Sequence, residues 1–178
     1  MSWGFFNKIK KGIRKFIKWI KTNFTLNDEG KIVLIKDVVQ KEPTLLDKIY
    51  AGLRKLKVPS FKDFSTKYLD SNLRSFYPSH IRFGDKGEIY YKGVLISLES
   101  LYRTMLRMIF LKEFDSLSFP AHNNFDNHYK DKEIIPLYPK IITIDENGKI
   151  FNQNRMISPL AAYTYLIENI IDIIKNNY

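Results

Sequence analysis

The stretch Ile81–Ile109, IRFGDKGEIYYKGVLISLESLYRTMLRMI, decides the fold. A short alternating apolar run enters the polar turn Asp85-Lys86-Gly87, a second strand follows, and the spacing then becomes helical. Glycine at the end of such a turn can take the positive φ that hairpin loops require. Ser97 stands just before the helical run, where its hydroxyl can accept from the orphan N–H groups of the first turn. Leu98, Leu101, Tyr102, Met105 and Ile109 then recur at steps of three and four, which gathers them on one helix face.

The same grammar appears twice more. Ile142–Ile170 reads ITIDENGKIFNQNRMISPLAAYTYLIENI, and Phe24–Leu53 reads FTLNDEGKIVLIKDVVQKEPTLLDKIYAGL. Ser158 follows Gly148 at the same distance as Ser97 follows Gly87, and Pro159 beside it suits the first helical position. Leu160, Tyr163, Leu166, Ile167, Ile170 and Ile174 make the apolar face of that last helix. The first copy is looser, with Pro43 and Thr44 opening a helix that carries Leu46, Ile49, Tyr50 and Leu53. The expected fold is therefore α+β: an antiparallel sheet from repeated β-hairpin–helix units near 24–57, 81–114 and 141–175, with helices on one face. Between the units, a helix is expected from near Ser60 with Phe61, Phe64, Tyr68 and Leu69 inward, ended by Pro78. Residues 115–140, rich in proline and asparagine, show no period and read as a long loop, either a partner-binding arm or a surface wrap.

Residues 1–23 form the other expected element, a basic amphipathic helix. Phe6, Ile9, Ile13, Phe16, Ile17, Ile20 and Phe24 share one stripe, and Trp3 and Trp19 fall at its borders, where a ring with one N–H donor suits a wet–dry boundary. Lys8, Lys10, Lys11, Arg14, Lys15, Lys18 and Lys21 occupy the opposite side. The chain of 178 residues carries a net charge of +10; without these seven it has 22 basic against 19 acidic side chains. Positive charge is thus concentrated on this element, as in a dedicated docking segment. Its apolar face can enter a membrane interface with the lysines on lipid phosphates. Alternatively it packs on protein while the lysines meet nucleic acid, or it packs on the core with the lysines solvated.

Several functional classes find no support. With no cysteine there are no disulfides, thiol nucleophiles or cysteine-ligated metals. No apolar run reaches the roughly 20 residues of a membrane span, and lysines interrupt the N-terminal stretch, so no secretory signal is expected. This fits a reducing compartment or a virus particle. His122, Asp126 and His128 are close in sequence but match no metal-ligand pattern, and no phosphate loop, nucleophile elbow or acid–base pair is recognisable. Neither a catalytic residue, a cofactor nor a small-molecule substrate is expected. Arg82, Lys86 and Lys92 on the second hairpin and Arg103 and Arg107 on its helix, near Tyr90 and Tyr91, are candidate nucleic-acid contacts. Glu88, Glu99 and Glu113 dilute that patch, so a solvated mixed-charge face is its other reading. The leading expectation is a non-enzymatic structural or accessory component of a larger assembly, such as a virion or membrane-associated complex. Open sheet edges favour a protein partner or self-association. A small nucleic-acid-binding protein is the alternative, and an uncharacterised enzyme ranks last.

Overall fold

The structure is a computed structural model that describes residues 13, 15–21, 24–26, 30–34 and 42–178. It is a mixed α+β protein in two compact units, residues 1–42 and 43–178. In the first unit, residues 13 and 15–21 are helical (α1). Phe24–Leu26 (β1) pairs antiparallel with Ile32–Leu34 (β2), so Phe24, which the spacing placed on the helical stripe, is in a strand; Gly30 has φ +75°.

The second unit opens with helix Leu45–Lys55 (α2), whose start is fixed by a reciprocal pair of bonds. Asp47 N–H donates to Thr44 Oγ1 at 3.2 Å while Thr44 N–H donates to Asp47 Oδ2 at 2.9 Å. Phe61–Lys67 (α3), capped by Ser60, and Ser71–Arg74 (α4) follow. The expected single helix from Ser60 is therefore two short ones. Leu69 lies in the break between them and is exposed, contrary to the inward position its spacing suggested.

Ile81–Phe83 (β3), Ile89–Tyr91 (β4) and Val94–Ile96 (β5) form a three-stranded antiparallel meander, followed by Leu98–Lys112 (α5). Ile142–Ile144 (β6), Ile150–Asn152 (β7) and Arg155–Ile157 (β8) form a second meander, followed by Pro159–Asn177 (α6). The third strand of each sheet was not expected from sequence. It arises from a two-residue turn at Lys92-Gly93, both at positive φ (51° and 81°), so that Tyr91 pairs with Val94. Gln153, at φ 54°, stands at the corresponding turn between Asn152 and Arg155. The caps fall where the sequence placed them: Ser97 Oγ accepts from Ser100 N–H at 3.1 Å, and Ser158 Oγ from Ala161 N–H at 3.2 Å.

Residues 115–140 are an ordered segment with a largely exposed outer side and six side chains turned into the core. Leu117, Phe119, Phe125, Ile134, Leu137 and Tyr138 are buried in the core, and His122–Asn127 and Ile135–Leu137 are 3-10 helices. The segment reproduces the bonding of residues 57–79 at a spacing of 61. Lys57 and Ser118 share a positive φ. Tyr77 donates its hydroxyl to Tyr68 O at 2.7 Å, and Tyr138 does so to Tyr129 O at 3.0 Å. Tyr68 and Tyr129 in turn donate to the hairpin carbonyls of Gly87 and Gly148, at 3.2 and 3.0 Å. Tyr68 and Tyr129 thus tie a connecting segment to a hairpin tip, and Tyr77 and Tyr138 close that segment on itself, bonds that replace the hydrophobic periodicity a helix or strand would show.

The core of this unit runs through α2, α5 and α6. Leu45, Ile49 and Leu53 come from α2, Leu101, Tyr102, Met105, Leu106, Ile109 and Phe110 from α5, and Leu166, Ile170, Ile171 and Ile174 from α6. Leu160, assigned to the apolar face of α6 by spacing, is exposed in its first turn. Helices α5 and α6 pack together, and Gly52 sits so close to residues 116–117 that a Cβ there would stand 2.3 Å from the Ser116 carbonyl oxygen.

Candidate docking helix and basic face

Helix α1 has an unusual surface. Ile13, Phe16, Ile17, Trp19 and Ile20 are all 38–59% exposed, although large apolar side chains on a packed helix are normally covered. At 100° per residue, Ile13, Phe16, Ile17 and Ile20 span about a quarter of the circumference, with Trp19 at the edge of that sector. Lys15, Lys18 and Lys21 are exposed on the remaining circumference. Phe16 stacks on Trp19 at 6.1 Å between ring centroids, and Trp19 meets Phe24 edge-on at 5.5 Å, so the aromatic end of the stripe is a continuous patch. Of the other docking residues expected from sequence, Trp3, Phe6, Ile9, Lys8, Lys10, Lys11 and Arg14 lie outside the described residues.

The basic residues of the body are placed differently from one another. Arg103 and Arg107, one turn apart on α5, face α6. Arg103 Nη2 reaches Glu168 Oε2 at 2.9 Å and its Nη1 pairs with Asp172, while Arg107 Nη2 donates to Glu168 Oε2 at 2.8 Å and its Nε pairs with Glu168 as well. The Arg107 hydrogen bond, opposed by burial and reinforced by Arg103, holds the Glu168 carboxyl below the usual range. These two arginines clamp α5 to α6, each through two of its three side-chain nitrogens. Lys175 joins the same pair of helices through Glu99 at 2.6 Å.

Arg82 lies on the outward face of the first meander, directly across from Tyr90, which is in turn across from Leu95. Its Nη1 donates to Ser79 O at 2.7 Å and Ile81 O at 2.9 Å. Lys86 sits in the exposed hairpin turn, and Lys92 Nζ lies 5.6 Å from the Tyr91 ring centroid. The five residues expected to act together therefore divide into a clamp between helices and a separate group on the hairpin.

His122, Asp126 and His128 do not assemble into a ligand group. His128 Nδ1 pairs with Asp131 at 2.8 Å, whereas the His122 ring packs edge-on against Tyr163 at 4.9 Å. No group of three metal-ligating side chains occurs among the described residues, and no helix there is long and apolar enough to cross a membrane. No known protein family, curated protein or solved structure matches this chain.

Proposed function

We propose that this chain is a non-enzymatic structural or accessory component of a larger assembly, docking on an anionic membrane surface through its basic amphipathic N-terminal helix. Its body, in this reading, is a tandem of hairpin–helix units that supplies contacts to protein partners. The exposed stripe of Ile13, Phe16, Ile17, Trp19 and Ile20 beside Lys15, Lys18 and Lys21 carries the proposal. Nucleic-acid phosphates would neutralise such lysines but leave the stripe in water, whereas a lipid interface takes both faces at once. The 61-residue correspondence of caps, tyrosine bonds and turns supports the tandem arrangement.

The test is co-sedimentation of the full chain with phosphatidylcholine vesicles containing phosphatidylglycerol. Each basic residue near such a surface contributes on the order of 1 kcal/mol. Changing Lys15, Lys18 and Lys21 together to glutamine should therefore weaken binding by about two orders of magnitude at low salt. Equal sedimentation of both proteins would defeat the proposal. The second reading, nucleic-acid binding by the hairpin–helix units, draws on Arg82 opposite Tyr90 on an outward sheet face. It predicts oligonucleotide binding that falls steeply with salt and weakens in Arg82→Gln.

A further inference from the structure

The corner between α4 and β3 forms an open cleft of about 460 Å³ lined by Arg74, Arg82, Tyr77, Ser79 and Phe83, together with Pro78 and Ile81. Two guanidinium groups border it, and no acidic side chain does. Asp70 is close enough to raise the Tyr77 pKa, second to burial, but it does not line the cleft. Arg82 is held in place by the Ser79 and Ile81 carbonyls through Nη1 alone, so its Nη2 and Nε are not used in those bonds. Tyr77 and Phe83, 5.9 Å apart, supply an aromatic floor.

The same corner exists in the second half of the unit, and the comparison is informative. There a cleft of about 560 Å³ is lined by Tyr138, Ile142 and Ile144, at the positions of Tyr77, Ile81 and Phe83. Ile135 and Thr143 stand where the first cleft has Arg74 and Arg82, and Asp145, Glu146 and Lys130 complete the charged lining. The scaffold is the same, since both phenols make the same bond to a tyrosine carbonyl. The two arginines are replaced by uncharged residues and Phe83 by Ile144, while two acids and one lysine line the second cleft from other positions. Folding the corner therefore does not require arginine at either position.

From this the geometry points to the Arg74–Arg82 cleft as a binding site for a phosphomonoester group, borne by a small molecule or a lipid headgroup. Two guanidinium groups on one cleft match the charge of phosphate, and each offers a fork of donors to its oxygens. The site is independent of the docking helix.

The full-length protein, isotope-labelled for amide NMR, is titrated with inorganic phosphate. Saturable shifts are expected at the amides of residues 77 and 79–83, and none at the corresponding residues 138 and 140–144. Binding should strengthen as pH rises through about 6, where phosphate gains its second charge. A charge-assisted bond lost from each arginine should weaken binding about tenfold or more in Arg74→Gln and in Arg82→Gln. Because Arg82 also braces two carbonyls, Arg74→Gln is the cleaner variant, and unchanged amide spectra elsewhere confirm that each remains folded. In a parallel arm, vesicles with phosphatidic acid are compared with equally charged phosphatidylglycerol vesicles. A preference for phosphatidic acid that both variants lose assigns the ligand to lipid. No preference, with the phosphate titration intact, assigns it to free phosphomonoesters. Absence of saturable shifts in the cleft, shifts confined to residues 8–21, or affinity unchanged in Arg74→Gln overturns the inference.

Discussion

Replacing Tyr102 by phenylalanine, and separately Tyr163 by phenylalanine, removes one oxygen from corresponding positions of α5 and α6 with opposite expected consequences. Tyr102 is fully buried, and its hydroxyl donates to the Pro59 carbonyl at 3.1 Å. Its loss deletes a buried hydrogen bond and leaves that carbonyl unpaired, at a cost of about 1–2 kcal/mol. Tyr163 is also buried, packed edge-on against Phe125 at 4.8 Å, and burial pushes its phenol up to about 12. Its hydroxyl meets no protein donor or acceptor among the described residues. Removing a buried hydroxyl without a partner should be neutral or stabilise by up to about 1 kcal/mol. The rings stay, so packing losses largely cancel, and the two variants should differ by about 2 kcal/mol. Urea unfolding at pH 7 followed by far-ultraviolet circular dichroism measures this, with the m-value unchanged. Tryptophan fluorescence is unsuitable, because Trp3 and Trp19 both lie in the first unit. A Tyr163→Phe cost equal to that of Tyr102→Phe would refute the reasoning.

Gly52→Ala should lower the urea midpoint. Alanine normally favours a helix by about 1 kcal/mol over glycine. Here, however, the new Cβ meets backbone atoms of residues 116 and 117 at 2.3 and 3.0 Å, and separating the segments should cost about 2 kcal/mol net. A stabilised variant would contradict the close approach. Glu168→Gln should remove part of the acid sensitivity of folding. The carboxyl is held below its unfolded value near 4.5, so its contribution is present above that pH and lost as pH falls through the folded value. Since the arginine pairs are partly exposed, the variant should lose only about 1 kcal/mol at pH 7. Thermal melts should show its deficit shrinking below pH 4.5, whereas a constant deficit would exclude the ion pairs as its cause.

The elements that obey local rules were readable from the chain. Gly87 and Gly148 at positive φ, Ser97 and Ser158 as caps, Pro159 in the first turn and the α5 stripe all rest on chemistry within a few residues. The third strands were missed because Lys92 and Gln153 adopt positive φ without being glycine or asparagine, so Gly93 alone signalled the first turn and neither tight turn was read from the sequence. The internal order of residues 115–140 was not readable because short 3-10 turns and tyrosine-to-carbonyl bonds leave no periodicity. The available signal was the match of Pro59, Phe64, Tyr68 and Tyr77-Pro78 with Pro120, Phe125, Tyr129 and Tyr138-Pro139. Of the candidate sites, spacing placed Ile13, Phe16, Ile17 and Ile20 on one face, and these four lie in the described part of α1; the rest of that stripe lies outside the described residues or, for Phe24, in a strand. The engagement of Arg103 and Arg107 was not, because Glu168 and Asp172 lie more than sixty residues away in sequence. The arginine-lined corner depends likewise on α4 meeting β3.

The central claim is that the stripe of α1 enters lipid, and Trp19 emission tests it most directly. In the full-length Trp3→Phe protein, titration with phosphatidylcholine–phosphatidylglycerol vesicles should shift the emission to the blue and shield it from an aqueous quencher. Pure phosphatidylcholine should do neither, because the lysines then lack an anionic target. Emission that stays red and fully quenchable on anionic vesicles would contradict the account.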